Sequence, residues 1–190
     1  MNSTRLFILG ALARGGPMHG HQIRRAAQVD RTELWTDVKP GSLYGALHRM
    51  AAEGVVEAVR TERAGNLPAR TVYAITADGR AELSAHRDEA LIDTRLRPDP
   101  VDLALQYTQD MAEEELRDVV RARRQAIAAQ LASWERLLQT ARPHLKGLEP
   151  ITFEHTLLRL RAELDWHDRL VEELPKVLAA ERAEEASDDH

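Results

Sequence analysis

Residues Gly41–Thr76 read GSLYGALHRMAAEGVVEAVRTERAGNLPARTVYAIT, and the order of signals within them decides the fold. Leu43, Leu47 and Met50 are spaced i, i+4, i+7, the inward face of a helix. Ser42 stands at its start as an N-cap hydroxyl, and Gly54 at its end as a C-cap glycine. Two β-rich runs follow, Val55–Arg63 and Arg70–Ile75, divided by AGNLPA, whose Gly65, Asn66 and Pro68 are turn formers. The stretch therefore predicts a helix and then a β-hairpin. Opposite its apolar face the helix shows Ser42, Gly45, Ala46 and Arg49, with Tyr44 and His48 on the flank. Small residues at 45 and 46 let the backbone approach a surface closely. Arg49 can form paired hydrogen bonds to guanine or reach a phosphate. Ser42 and Tyr44 can donate to phosphate beside a helix N-terminus that favours anions, and Lys39 lies just before it. Arg60, Arg63 and Arg70 flank a hairpin tip bearing Asn66, as contact with a nucleic-acid backbone or minor groove requires. Alternation puts Arg60 and Glu62 on one face, so part of this charge is expected to be paired internally.

Outward from this stretch, Ser3 or Thr4 can cap a first helix with Leu6, Ile8, Leu9 and Leu12 on its apolar side. Gly15, Gly16 and Pro17 stop it. A second helix is expected from about His19 to Val29, and Trp35 falls in the connection that ends at Lys39-Pro40-Gly41. Thr76 caps a fourth helix. Helices, hairpin and closing helix make a winged helix-turn-helix over residues 1–92. Pro98 and Pro100 mark a linker at 93–100. Beyond it, 101–182 carries two long helical stripes, followed by an acidic tail at 183–190. The first stripe holds Leu116, Val120, Ile127, Leu131, Trp134 and Leu138, interrupted by Arg123. The second holds Leu157, Leu160, Leu164, His167, Val171, Leu174 and Leu178, and Pro175 should kink or end its helix. Two helices from one chain enclose a core poorly, so these stripes are expected to dimerise. The predicted fold is mainly α with a small β-hairpin wing.

Composition narrows the function. Hydrophobic residues make up 43% and charged residues 30%, the balance of a folded globular chain rather than a disordered one. Cysteine is absent, which excludes disulfides and thiolate metal sites and fits a reducing cytoplasm. No apolar run approaches the ~20 residues of a membrane span. Residues 1–85 hold eleven Lys and Arg against eight Asp and Glu, whereas 86–190 hold fifteen against twenty-three. A mildly basic front and an acidic back suggest modules with different partners. Phosphate-loop, nucleophile-elbow and zinc-protease patterns are all missing, and the HGH at His19–His21 has no third ligand nearby. No catalytic residue, metal or cofactor is expected. His167 has two readings: a hydrogen-bonded interface histidine, or the polar anchor of an effector pocket walled by Trp35, Trp134 and Trp166.

PMHGHQI (Pro17–Ile23), KPGSLYGALHRMAAEGVV (Lys39–Val56) and RTVYAITADGRAEL (Arg70–Leu83) resemble the PadR-type transcriptional regulators in order and spacing. The resemblance is specific over the first 85 or so residues; the remainder is similar only in length, helicity and a late tryptophan-bearing helix. It implies a homodimeric winged-helix repressor on a palindromic operator, released in many relatives by a phenolic acid, drug or other small molecule. By position it implies backbone contact for Tyr44, with His48 and Arg49 in the same recognition helix and Arg70 on the wing. Dimer contacts would fall on Leu116, Val120, Ile127, Leu131, Leu157, Leu160, Leu164, Val171 and Leu174. The chain departs from the pattern at Gly45, where proline is common, at His21, where tyrosine is common, and at Val72, where an aromatic is usual. A helical protein-interaction adaptor is the alternative, but it needs neither a basic wing nor a small-faced third helix.

Overall fold

The computed structural model describes residues 2–29, 36–63 and 69–188. Trp35, Asn66 and the remainder of the hairpin tip lie outside them. The chain forms two compact units, Met1–Leu96 and Arg97–His190.

The first unit runs α1 (Ser3–Gly15), β1 (Met18–His19), α2 (Gly20–Val29), α3 (Leu43–Ala52), β2 (Val56–Glu62), β3 (Arg70–Ile75) and α4 (Ala77–Ile92). A 3-10 turn, Pro40–Ser42, leads into α3. The strands form an antiparallel sheet in the order β1-β3-β2. The expected hairpin is its β2–β3 pair. The two-residue β1, opposite Tyr73 and Val72, was not legible because it is too short to show alternation.

Helix ends follow local chemistry, not always at the expected residue. Asn2, not Ser3 or Thr4, caps α1 by accepting from the Thr4 and Arg5 amides. Ser42 occupies the α3 cap position, but its backbone is already helical and it makes no side-chain cap bond. Its hydroxyl instead donates to the Lys39 carbonyl at 2.8 Å. Gly54, with φ +78°, ends α3: its amide reaches the Ala51 carbonyl and the Val55 amide reaches that of Met50, the paired bonds of a Schellman ending. Thr76 caps α4 through the Gly79 amide.

The core of the first unit joins Ile8, Leu9 and Leu12 of α1, Ile23 and Ala27 of α2, and Leu43, Ala46, Leu47 and Met50 of α3. Arg5 adds a polar fastening. It holds Glu82 of α4 through two hydrogen bonds of 2.5 and 2.7 Å and also pairs with Glu53. These bonds hold the Glu82 carboxyl below its ordinary value and raise the Arg5 guanidinium above its own.

The second unit holds α5 (Pro100–Ala104), α6 (Glu113–Ala141) and α7 (Glu149–Asp188). Gly147, with φ +57°, lies in the turn between the long helices. Their pairings descend in register: Leu116 and Val120 pack with Leu174, Arg124 bonds Asp168, and Arg161 bonds Glu135. The result is an antiparallel hairpin. It corrects the expectation that the two stripes need a second chain. Leu116, Val120, Ile127, Leu157 and Leu174 are buried within one protomer, because the turn folds one stripe onto the other. Leu131, Leu160, Leu164 and Val171 are half-buried. Pro175 neither ends nor divides α7, which continues through it to Asp188 and takes in much of the expected acidic tail. Leu170, Val171, Leu174 and Leu178, on both sides of it, pack in one cluster with Leu116 and Val120 of α6, and their combined burial offsets the proline's lost bond and ring clash. Among the described residues no helix is long and apolar enough to cross a membrane.

Candidate nucleic-acid interface

In α3, Leu43, Ala46, Leu47 and Met50 face the core and Tyr44, Gly45, His48 and Arg49 face out. Ala46 corrects the sequence reading. It lies three residues after Leu43, completes the i, i+3, i+4, i+7 stripe, and is 5% exposed. The close-approach surface is therefore Gly45 alone. A Cβ built on Gly45 would lie 3.5 Å from an Arg49 terminal nitrogen. The Arg49 side chain thus runs back along α3 toward its N-terminus, as long helical side chains do. There it borders a small cleft with Thr4, Arg5 and Ser42. Arg5 is committed to Glu82 and Glu53. Arg49 has no hydrogen-bond or ion-pair partner among the described residues, so its charge is available to a ligand.

Two aromatic contacts fix the flanks of this face. His48 meets Tyr73 of β3 edge-on, with ring centroids 6.5 Å apart. Tyr44 is 39% exposed, and its ring lies against Gly20, the first residue of α2. Helix α2 begins with a reciprocal cap: the His19 amide donates to the Gln22 side-chain oxygen, and the Gln22 amide donates to His19 Nδ1. His19 is thereby explained without a metal, and among the described residues no His, Asp and Glu cluster could hold one.

On the wing, Arg60 Nε donates to Glu62 at 2.6 Å. Glu62 also stands opposite Arg70 across the β2–β3 ladder. One carboxylate therefore offsets part of the wing's charge. Arg63 and Arg70 are exposed and have no bonded partner among the described residues. Lys39 and Ser42 are exposed at the entry to α3. The expected cations thus lie on α3, its leading turn and the wing strands of one unit.

The expected effector residues do not assemble in the same way. Trp134 packs edge-on against Phe153, centroids 5.3 Å apart, whereas Trp166 packs against His167 at 4.6 Å. Phe153 and Trp166 are thirteen residues apart on α7, about 20 Å along a helix axis. The two tryptophans therefore do not wall one pocket within the hairpin. His167 is wholly buried and occupied on both sides. Arg123 Nε donates to its Nε2 at 2.9 Å, and its Nδ1 lies 2.7 Å from the Glu163 carbonyl. Nε2 accepts from Arg123, which leaves Nδ1 to donate to the Glu163 carbonyl. Arg123 also reaches Asp99 at 2.5 Å, and Asp99 caps α5 through the Val101 amide. The arginine that interrupts the α6 stripe is thus the partner of the histidine that interrupts the α7 stripe. Internal satisfaction, not ligand anchoring, accounts for His167.

Residues 8–85 match the Transcriptional regulator PadR-like family, whose members are transcriptional regulators, not enzymes. Curated proteins give no match. Among solved structures, Bacillus subtilis PadR in complex with operator DNA is similar with a TM-score of 0.70 at 20% identity, covering 92% of this chain and 98% of that one. The Vibrio cholerae virulence activator AphA is similar at 0.69 and 20% identity, covering 92% and 99%. Bacillus subtilis PadR in complex with p-coumaric acid is similar at 0.67 and 18% identity, also covering 92% and 99%. At these identities the likeness is one of fold.

Proposed function

We infer, from the premise that residues 8–85 form the domain of a PadR-type transcriptional regulator, that this chain is a homodimeric repressor on a palindromic operator. In this reading α3 enters the major groove and the β2–β3 wing lies on the flanking backbone. The carrying observation is Arg49, exposed on the outer face of α3 and without a partner among the described residues, with exposed Arg63 and Arg70 on the wing of the same unit. Lys39, Ser42 and Tyr44 supply further donors to phosphate, with Gly45 at the closest approach, His48 beside them and Arg60 shared with Glu62. A relative bound to operator DNA supports the reading.

Dimerisation is assigned to the outer face of α7. Ile151, Leu158, Trp166 and Val177 are exposed there, and their spacings of seven, eight and eleven residues keep them on one side of a helix. A dimer carries two α3 helices, and a two-fold operator offers them two half-sites, about 34 Å apart for successive turns of DNA. Release by a small aromatic or drug-like effector completes the proposal, supported by the p-coumaric acid complex of a relative.

The test is fluorescence-anisotropy titration of the protein against duplex DNA from upstream of its own gene and against random DNA, in rising salt. Tighter binding to the upstream duplex, weakening with salt for both, is expected. Equal affinity for the two overturns operator recognition at that site, and a protein that binds neither is not a DNA-binding regulator.

A further inference from the structure

Gly20 is the first residue of α2, and its backbone gives no reason for a glycine: among the described residues the positive-φ glycines are Gly16, Gly54 and Gly147. The reason is space. A Cβ at this position would lie 2.7 Å from Cε1 and 3.0 Å from Cδ1 of Tyr44, and 3.4 Å from Cδ2 of Leu47. The edge of the Tyr44 ring therefore rests on bare backbone where α2 begins. That backbone is held firmly, because the His19–Gln22 cap encloses it and Ile23 one turn later is buried. Leu47, one turn along α3, is buried beside the same contact. Tyr44 is the movable partner. It is 39% exposed, and no group among the described residues bonds its hydroxyl.

We propose that Gly20 is a positioning residue for DNA binding: it sets the Tyr44 phenol at the entry of the recognition helix so that its hydroxyl donates to a backbone phosphate. The proposal rests on the DNA-binding reading above and assigns a role within the same surface. A methyl group at position 20 leaves the helix free to form, alanine being the better helix former. It drives the flexible ring out of its seat and takes the hydroxyl with it. A hydrogen bond to phosphate requires a donor within about 3 Å, so a displaced phenol loses the bond although no atom of it has been removed.

The test uses the full-length chain in four forms: wild type, Gly20→Ala, Tyr44→Phe and the double variant. Affinities for the upstream duplex and for random DNA are measured by anisotropy, with thermal unfolding as the control for folding. Gly20→Ala should stay folded and lose about tenfold in affinity on both duplexes, as expected for a charge-assisted bond to backbone. In the Tyr44→Phe background the same change should have little further effect, because the hydroxyl is already gone. Full affinity in folded Gly20→Ala overturns the proposal, and so does an undiminished loss in the Tyr44→Phe background. Ring resonances of the three tyrosines in the free protein separate this from failure of the DNA reading. Tyr44 should shift in Gly20→Ala while Tyr73 and Tyr107 stay in place. A shifted Tyr44 in a protein whose wild type binds no duplex rejects the DNA role and leaves only packing. An unmoved Tyr44 rejects the positioning itself.

Discussion

Arg49 and Arg63 are both exposed arginines on the first unit, yet they should behave differently. Arg49 lies on the helix assigned to the major groove. Arg49→Ala should cost ~1–3 kcal/mol on the operator and relax preference at one base position; equal losses on operator and random DNA would move it to the backbone. Arg63→Ala should weaken all duplexes alike and reduce the salt slope by about one unit per half-site. Arg5 has a different task, because both of its carboxylate partners belong to the scaffold. Glu82 is held below its ordinary value, first by the Arg5 hydrogen bonds. A carboxyl depressed on folding contributes stability above its unfolded value and loses it as pH falls through the folded one. Acid unfolding of the wild type should therefore steepen below about pH 4.5, and Glu82→Gln should flatten that limb in thermal melts taken across pH 3–6. In the second unit, Arg123→Leu strands His167 Nε2 and the Asp99 carboxylate. A loss of ~1–3 kcal/mol is expected in urea unfolding, partly recovered in the Arg123→Leu/His167→Leu double variant. Full additivity of the two single changes would show that the pair does not act as a unit.

At the scale of elements, what could be read from the sequence was whatever a single period or a single cap residue specifies. Leu43, Leu47 and Met50 placed α3, Gly54 ended it, and Thr76 began α4, because each acts through neighbours three or four residues away. The misreadings came from choices that depend on distant packing. Ala46 is small enough for either face, and only the core beneath it decides. Ser42 is an ideal cap by type, but the 3-10 turn at Pro40–Ser42 already holds its backbone helical. In α7, Pro175 should have broken the helix on local grounds; the packing of Leu170, Val171, Leu174 and Leu178 on α6 keeps it whole. His167 was legible as an anomaly in an aliphatic stripe and Arg123 as another. Their pairing was not, because it needs the hairpin register that brings residues forty-four positions apart within 2.9 Å. The outward face of α3 and the wing strands were more legible than any grouping of aromatic residues, since both are local elements. A pocket drawn from Trp134 and Trp166, thirty-two positions apart in sequence, depends wholly on tertiary placement.

For the whole molecule, the proposed repressor function needs two copies held at a fixed spacing. The outer stripe of α7 predicts where they join: Leu158→Glu, at a residue 55% exposed, should leave the protomer folded and give a monomer mass in light scattering. A dimer that survives this change places the seam elsewhere. A monomeric protein should also bind operator far more weakly, because the second half-site no longer adds its contacts at high effective concentration. The central claim is narrower than dimerisation or release: that α3 and the wing of the first unit grip DNA. The most direct measurement is anisotropy of the upstream duplex with wild type and with the Arg49→Ala/Arg63→Ala double variant, each checked for folding, over a series of salt concentrations. The account predicts specific binding by the wild type, a large loss in the variant and a shallower salt slope. Unchanged affinity and slope in a folded double variant would contradict it.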